Sequence, residues 1–142
     1  MERYELLEHK ADAYIKAYGA TLEEAFENAA FAMFSIMTDI TAVEEKLSYS
    51  IEIEASDILE LLYNWLEHLL VQFETEYELC CRFEVKKIEK SNGALRLSAN
   101  VYGEPYDAQK HPSRSEVKAV TYHKMDIGKE NGRHVLKFIL DL

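Results

Sequence analysis

The fold is decided by residues 21–37, which read TLEEAFENAAFAMFSIM. Thr21 and Glu24 form a T-x-x-E capping box, in which the hydroxyl and the carboxylate accept hydrogen bonds from free backbone N–H groups at the start of a helix. The apolar residues of this segment follow the 3.6-residue helical period: Leu22, Ala25, Phe26, Ala29, Ala30, Met33, Ile36 and Met37. The segment is therefore predicted to form a helix with one buried face.

A second helix is predicted from Ser56-Asp57 to about Phe73. Its apolar face consists of Ile58, Leu62, Trp65, Leu66, Leu69 and Phe73. Further leucines at positions 59, 61 and 70 widen this stripe, which indicates that the helix is covered on more than one side. Trp65 is interpreted as a core anchor rather than as a platform for a ligand.

Outside the helices, apolar and polar residues alternate as they do in half-buried strands. Such alternation predicts strands at 49–55, 79–85 and 95–101, and Asn92-Gly93 predicts a type I′ hairpin turn before the last of these. Two more strands are predicted at 117–123 and 134–140, and two short ones at 4–7 and 13–18. The order β-β-α-β-α-β-β-β-β indicates one α+β domain over residues 1–142, with two helices packed on a largely antiparallel sheet.

The composition argues against several classes of protein. The chain has 142 residues, and its 16 Lys+Arg against 26 Asp+Glu give a net charge of −10, which disfavours strong direct binding to nucleic acid. We expect no signal peptide and no membrane association, because no apolar run approaches the ~20 residues that cross a bilayer. No glycine-rich phosphate loop is present, which disfavours a nucleotide enzyme.

The two cysteines, Cys80 and Cys81, are adjacent in the sequence. On a strand, adjacent side chains point to opposite faces, so they form neither a disulfide framework nor a zinc site. We therefore predict a cytoplasmic protein with two reduced thiols, one inside and one outside. The alternation assigns the inward position to Cys81, together with Leu79, Phe83 and Val85.

Three places carry residues that packing alone does not explain. The first is the polar segment 9–12 (HKAD), for which an ordinary turn containing Asp12 is the alternative. The second is the C terminus, where Asp141 and the terminal carboxylate of Leu142 lie within a few ångströms of each other. Hard oxygen ligands of this kind suit Ca²⁺ or Mg²⁺, and a frayed, hydrated chain end is the alternative.

The third place is the loop at 103–114 and the strand that follows it. This stretch is locally basic and contains two prolines. Its basic residues are Lys110, His111, Arg114, Lys118, His123 and Lys124. A long loop of this kind often carries function, and a solvated loop beside a lysine-guarded edge strand is the alternative.

Together these segments resemble the archease family over nearly the whole chain. The resemblance is carried by the following motifs: His9-x-Ala11-Asp12, Gly19-x-Thr21-Leu22-Glu23-Glu24-Ala25-Phe26-Glu27-Asn28-Ala29-Ala30, Leu61-Leu62-x-x-Trp65-Leu66, Gly103-Glu104-Pro105, Lys110-His111-Pro112, Glu116-Val117-Lys118-Ala119-Val120-Thr121-Tyr122-His123 and Asp141-Leu142. The HxAD and EVKAVTYH motifs are specific in combination. Family members often have Thr at position 10 and Ile at position 142, and neither difference removes an oxygen ligand.

The resemblance implies one strand-helix-strand-strand (SHS2-like) module inserted in another. It also implies a protein that activates an RtcB-type tRNA-splicing ligase by promoting its guanylylation and multiple turnover and by broadening its nucleotide specificity. Such a protein is a cofactor of an enzyme and has no catalytic residues of its own. It reaches tRNA and GTP only through the ligase.

The resemblance further implies a metal site at Asp12, Asp141 and Leu142. The expected ion is Ca²⁺, with Mg²⁺ or Mn²⁺ as alternatives. A basic loop residue is also implied, with Lys110 as the first candidate and Lys118 as the second. The further candidates for contact with the ligase are His9 and His111.

Two other functions remain open from the sequence. One is a chaperone-like modulator of tRNA-modifying enzymes such as a tRNA methyltransferase. The other is a small metal-dependent hydrolase that uses Asp12 and Asp141, although no general base other than His9 accompanies them.

Overall fold

The computed structural model describes residues 2–9 and 11–142; Met1, Lys10 and the side chain of His9 lie outside the described residues. The elements follow the predicted order β-β-α-β-α-β-β-β-β, with a short 3₁₀ turn after the first helix. They are β1 (Tyr4–His9), β2 (Asp12–Gly19), α1 (Leu22–Met37), the 3₁₀ turn (Ile40–Ala42), β3 (Leu47–Ala55), α2 (Ile58–Glu76), β4 (Glu78–Ser91), β5 (Ala94–Pro105), β6 (Ala119–Glu130) and β7 (Arg133–Asp141).

Capping interactions start helix α1 as predicted. The Thr21 hydroxyl accepts a hydrogen bond from the Glu24 N–H at 3.1 Å, and the Glu24 carboxylate accepts one from the Ala20 N–H at 2.9 Å. Helix α2 begins in the same way, with Asp57 accepting from the Glu60 N–H at 2.9 Å. These bonds satisfy backbone donors that a helix leaves free at its first turn.

The strands form two separate antiparallel sheets, with the two helices between them. One sheet has the order β1-β2-β7-β6, and the other has the order β3-β5-β4. Helix α1 packs on β2 and β7 of the first sheet and on β4 of the second, whereas α2 packs on β6 and β3. The predicted α+β class is confirmed, and each helix has apolar contacts on two sides.

The topology also confirms the nested modules. The strands β2, β6 and β7 together with α1 form one strand-helix-strand-strand unit, whose last strand lies in the middle of its three strands. The unit β3-α2-β4-β5 repeats this arrangement, with β5 in the middle. It is inserted between α1 and β6 of the first unit.

Trp65 anchors the core between the two sheets, as the sequence predicts. Its side chain is fully buried, and its indole N–H donates a hydrogen bond to the Phe26 carbonyl at 3.0 Å. The indole ring meets the edge of Phe83 at 6.4 Å between ring centroids. A large buried side chain with its one polar atom satisfied contributes strongly to packing between elements.

The predicted facing of the two cysteines is wrong. Cys80 is buried, whereas Cys81 is only partly buried. The register of β4 against β5 shifts between Cys80 and Arg82, and the extra residue of such a bulge moves the following side chains to the other face. The prediction of two free thiols of unequal exposure is confirmed.

Several element ends also differ from the prediction. Helix α2 continues to Glu76, where Tyr77 adopts a left-handed conformation and its N–H bonds to the Phe73 carbonyl. Strand β6 begins at Ala119 and runs to Glu130. Its register against β7 shifts between Thr121 and Asp126, so the simple alternation that the prediction used does not continue along the whole strand. In the described part of the chain, no helix is long and apolar enough to cross a membrane.

The three segments that the sequence identifies as candidate sites lie at one end of the helix layer. Strands β2, β3, β4 and β6 start at this end, whereas β5, β7 and α1 finish there. The loop after β5 runs along the end of α1, where the Arg114 N–H donates to the Met37 carbonyl at 3.0 Å. We call this end the tip and define it as residues 11–12, 37–47, 103–119 and 141–142.

Gly103 allows β4 and β5 to pair closely at the tip. A Cβ atom at this position would lie 1.8 Å from the Leu79 carbonyl oxygen. We expect Gly103→Ala to lower the free energy of unfolding by about 1–3 kcal/mol or more in urea denaturation, because the backbone must shift.

Gly128→Ala is the matched control, because Gly128 also lies on a strand and a Cβ there would meet nothing within 4 Å. This variant should be as stable as the wild type or slightly more stable. Equal unfolding midpoints for the two variants would contradict the close packing at Gly103.

Candidate functional site

Strand register places two aspartates opposite each other at the tip. Asp12 starts β2 and pairs with Asp141, the last residue of β7. Directly opposed residues of an antiparallel pair project from the same face, with Cβ atoms roughly 4.5–5.5 Å apart. Both side chains are exposed, so two carboxylates share one accessible surface.

Hydrogen bonds hold the end of the chain within the sheet. The Leu142 N–H donates to the Ala11 carbonyl at 3.2 Å, and the Lys118 N–H donates to the Asp141 carbonyl at 2.7 Å. Ala119 on β6 also pairs with Asp141. The last two residues therefore lie between two neighbouring segments and do not form a frayed end.

The donors at this place fit a hard divalent cation. Asp12, Asp141 and the terminal carboxylate of Leu142 offer only oxygen, which is the ligand type that Ca²⁺, Mg²⁺ and Mn²⁺ prefer. Neither aspartate forms an ion pair with another described side chain. Two unpaired carboxylates at close range repel each other, and a bound cation would relieve this repulsion.

The side chains of Asp12 and Asp141 alone are too few to complete the coordination of a metal ion. Among residues 2–9 and 11–142, no group of three or more His, Cys, Asp and Glu stands close enough to hold a metal ion. A cation between Asp12 and Asp141 would therefore complete its coordination with the terminal carboxylate or with water.

Two further candidates lie beside this pair. Lys118 is exposed and bonds through its backbone to Asp141, so it belongs to the same edge of the tip. His9 ends β1 and pairs with Ala13, but its side chain is outside the described part of the structure. The predicted role of each in partner contact stays a prediction.

A second cluster at the tip surrounds the buried carboxylate of Glu104. This side chain belongs to β5, and only 4% of the residue is exposed. Its carboxylate accepts hydrogen bonds from the Glu44 N–H at 2.8 Å and from Lys110 Nζ at 2.8 Å, and it bonds to His111 Nε2 at 2.9 Å. Lys46 Nζ lies 3.6 Å away and adds a second positive charge.

His111 belongs to the loop after β5, but its side chain is buried, and its neutral ring donates one hydrogen bond. Its Nδ1 atom accepts a hydrogen bond from the Asp107 N–H at 2.9 Å, so the proton of the neutral ring is on Nε2. That proton is donated to Glu104. Because the residue is only 1% exposed, the structure places this predicted contact residue below the surface.

The cluster stabilises the negative charge of Glu104 and the positive charge of Lys110. Burial alone raises the pKa of Glu104, but hydrogen bonds from Lys110, the Glu44 N–H and His111 outweigh it and lower the pKa from 4.5 to about 2. Hydrogen bonds to Glu104 and then to Glu44 raise the pKa of Lys110 above 10.5. At neutral pH the tip therefore holds a buried carboxylate against a lysine ammonium that is 30% exposed.

The sequence prediction assigned no site role to Glu104 or Glu44. The sequence prediction placed Gly103 and Glu104 in a loop, whereas both belong to the end of β5 and both are buried. The only sequence signal for Glu104 is its place in the Gly-Glu-Pro motif, because periodicity does not identify a buried acid. Lys110 and His111, in contrast, are both in the predicted loop.

Comparison with known proteins gives a consistent result over the full chain. Residues 4–142 match the family model described as the archease protein family (MTH1598/TM1083). The chain is 43% identical over 142 residues to the protein archease of Sulfurisphaera tokodaii, with 100% of both chains covered. It is 44% identical over 143 residues to the protein archease of Pyrococcus abyssi, again with 100% of both covered.

Two solved structures have a similar fold. The solution structure of protein 1598 of Methanobacterium thermoautotrophicum superposes with a TM-score of 0.88, at 43% identity and with 100% of both chains covered. The crystal structure of a Thermotoga maritima protein, described as an archease and possible chaperone, gives a TM-score of 0.60 over 96% of this chain and 94% of that one. At 14% identity, the second similarity concerns the fold alone.

The low pKa of Glu104 predicts a specific dependence of stability on pH. Because the folded-state pKa of about 2 lies below the ordinary value of 4.5, the ionised carboxylate stabilises the fold above about pH 4.5. This contribution is lost as the pH falls from 4.5 toward 2. In Glu104→Gln it is absent at every pH.

Urea denaturation of both proteins between pH 7 and pH 3 measures the effect. The difference in unfolding free energy between wild type and Glu104→Gln should be constant above pH 5 and should shrink below pH 4.5. Glu45→Gln, at an exposed position outside the cluster, should follow the wild-type curve. A difference that does not change with pH would show that Glu104 is not held ionised by its neighbours.

Proposed function

The chain belongs to the archease family, and on this basis we propose that it activates an RtcB-type tRNA-splicing ligase. In this proposal it promotes guanylylation and multiple turnover of the ligase and broadens the nucleotide that the ligase accepts. The observation that carries the proposal is the opposed pair Asp12 and Asp141 at the tip, beside a loop that presents Lys110. These residues offer a cation site and a positive side chain at one end of an otherwise acidic protein.

The chemistry of the ligase explains why such a tip would help. Guanylylation transfers GMP onto a histidine of the ligase, and positive charge stabilises the phosphoryl group during transfer. A divalent cation held by Asp12 and Asp141 would supply such charge next to a nucleotide phosphate. The aspartates would bind and orient this charge, and the protein would carry out no bond-forming step alone.

The lysine ammonium is the second contribution of the tip. Lys110 is partly exposed and carries its charge at neutral pH, so a phosphate or a carboxylate of the ligase can bind it by displacing the exposed carboxylate of Glu44. Lys118, whose N–H bonds to the Asp141 carbonyl, is the alternative contact. With a net charge of −10, the protein is poorly suited to bind tRNA directly, and tRNA and GTP would be reached through the ligase.

A chaperone-like modulator of tRNA-modifying enzymes, such as a tRNA methyltransferase, is the second candidate function. The observation in its favour is a set of exposed apolar side chains, including Leu6 and Leu7 on β1 and Tyr122 on β6. Exposed apolar side chains are the groups that contact the apolar residues of partly folded chains. This function would require no metal ion and no charged tip.

Removing one carboxylate of the pair tests the ligase proposal. Asp12→Asn and Asp141→Asn should each reduce multiple-turnover ligation by an RtcB-type ligase from the same organism more than about tenfold at limiting ligase, because a cation held by one carboxylate is weakly bound. Their thermal midpoints should not fall, since like charges directly opposite each other are destabilising. Ligation of a broken RNA substrate and thermal unfolding are the measurements.

Asp126→Asn is the matched control, because Asp126 is an exposed aspartate on β6 opposite Lys137, away from the tip. It should support the wild-type rate. Full turnover with both Asp12→Asn and Asp141→Asn would contradict the ligase proposal. Suppression of methyltransferase aggregation by all three variants, also in the presence of a chelator, would favour the chaperone function instead.

A further inference from the structure

We propose that Glu104 is a positioning residue that holds the ammonium group of Lys110 at one point of the tip. The activity part of this inference rests on the proposed ligase function, whereas the placement of the ammonium can be measured on the protein alone. Neither the composition nor the strand pattern assigns Glu104 this role. It follows from the contacts of its buried carboxylate.

Both oxygens of Glu104 take part in holding Lys110. The ammonium lies 3.0 Å from Oε1 and 2.8 Å from Oε2, and it also lies 3.0 Å from Oε1 of the exposed Glu44. An ammonium group has three N–H donors, and three carboxylate oxygens surround this one. A free lysine side chain samples many rotamers, so this arrangement restricts a group that otherwise moves widely.

Other donors keep Glu104 itself in place. The Glu44 N–H and the His111 imidazole both bond to the same oxygen, Oε2. Glu44 lies in the segment before β3, and His111 lies in the loop after β5. The imidazole is in turn oriented by the Asp107 N–H. A chain of contacts therefore runs from Asp107 through His111 and Glu104 to Lys110.

The loop that carries Lys110 is also tied to helix α1. The Thr38 hydroxyl, at the end of α1, donates to the Pro112 carbonyl at 2.8 Å. The backbone of Lys110 and His111 bonds to the Asp107 carbonyl at 3.0 and 2.7 Å. These bonds hold the backbone of the loop in place. The side chain of Lys110 is held separately, by the buried carboxylate of Glu104 on strand β5.

Stability alone does not account for the buried charge. Burying a carboxylate is costly, and a buried ion pair often stabilises a fold no more than apolar residues of similar volume would. The arrangement does produce a charged group in a defined position that is still partly open to solvent. Lys118 contrasts with it, because its exposed side chain forms no ion pair with another described residue.

The test removes the charge of Glu104 and keeps its shape. In Glu104→Gln, the Lys110 ammonium loses a charged partner, and NMR of protein labelled with ¹³C at lysine Cε should show that the pKa of Lys110 falls toward 10.5. Ligase activation should fall about tenfold or more, since small displacements of a positioned group have large effects on rate. Glu45→Gln, at an exposed residue that pairs with Arg82, is the matched control and should change neither quantity.

A double variant separates positioning from a role independent of Lys110. If Glu104 acts through Lys110, Glu104→Gln combined with Lys110→Ala should activate the ligase as poorly as Lys110→Ala alone. Multiplied losses in the double variant would overturn the inference. So would an unchanged pKa of Lys110 in Glu104→Gln.

Failure of the positioning and failure of the proposed function can be told apart. If Lys110→Ala activates the ligase fully, the proposed function of Lys110 is wrong, while the pKa of Lys110 in Glu104→Gln still decides whether Glu104 positions it. If Glu104→Gln does not fold, Glu44→Gln tests the same ammonium from its exposed side. That variant should lower the pKa of Lys110 and reduce activation only about two- to threefold, because both contacts with Glu104 remain. A loss of activation as large as that of Lys110→Ala would show that Glu44 holds the ammonium and would overturn the inference.

Discussion

The antiparallel pairing of β2 with β7 is the constraint on which the candidate site depends. It joins residues near the two ends of the chain and continues to the last residue of β7, so that Asp12 and Asp141 face each other. A shift of one residue would move Asp141 to the opposite face of the sheet and separate the two carboxylates. The helix contacts on the inner face make such a shift costly, because Ala13, Ile15 and Leu140 are buried there.

The second part of the site depends on a different interaction, the buried charge of Glu104. Strand β5 brings this carboxylate to the tip, and the loop after β5 folds over it by contributing Lys110 and His111. The loop then passes the end of α1 and enters β6 beside Asp141. One end of the molecule thus combines an exposed pair of carboxylates with a lysine ammonium that contacts the buried carboxylate of Glu104.

Local patterns in the sequence were sufficient to predict the order of the elements. The capping box at Thr21, the Asn92-Gly93 turn and the burial of Trp65 each depend on residues close in sequence or on simple periodicity. The bulge at Cys80 was not predictable in this way, because it depends on the register against β5. The burial of Glu104 likewise depends on the Glu44 N–H, which is distant in sequence, and on two side chains of the following loop, Lys110 and His111. Asp12 and Asp141 were each noted in the sequence as separate candidates, but their combination in one metal site was inferred from the family resemblance.

An NMR titration of the ¹⁵N-labelled protein with Mn²⁺ tests the central claim most directly. A paramagnetic ion broadens the amide signals of nearby residues, so it reports the position of a cation without any ligase present. The signals of residues 11–12, 118–119 and 141–142 should broaden first, while those of the hairpin glycines Gly93 and Gly132 at the opposite end stay sharp, and Asp12→Asn should abolish the effect. Broadening spread evenly over the acidic surface, or unchanged in Asp12→Asn, would contradict a cation site at the paired ends of β2 and β7.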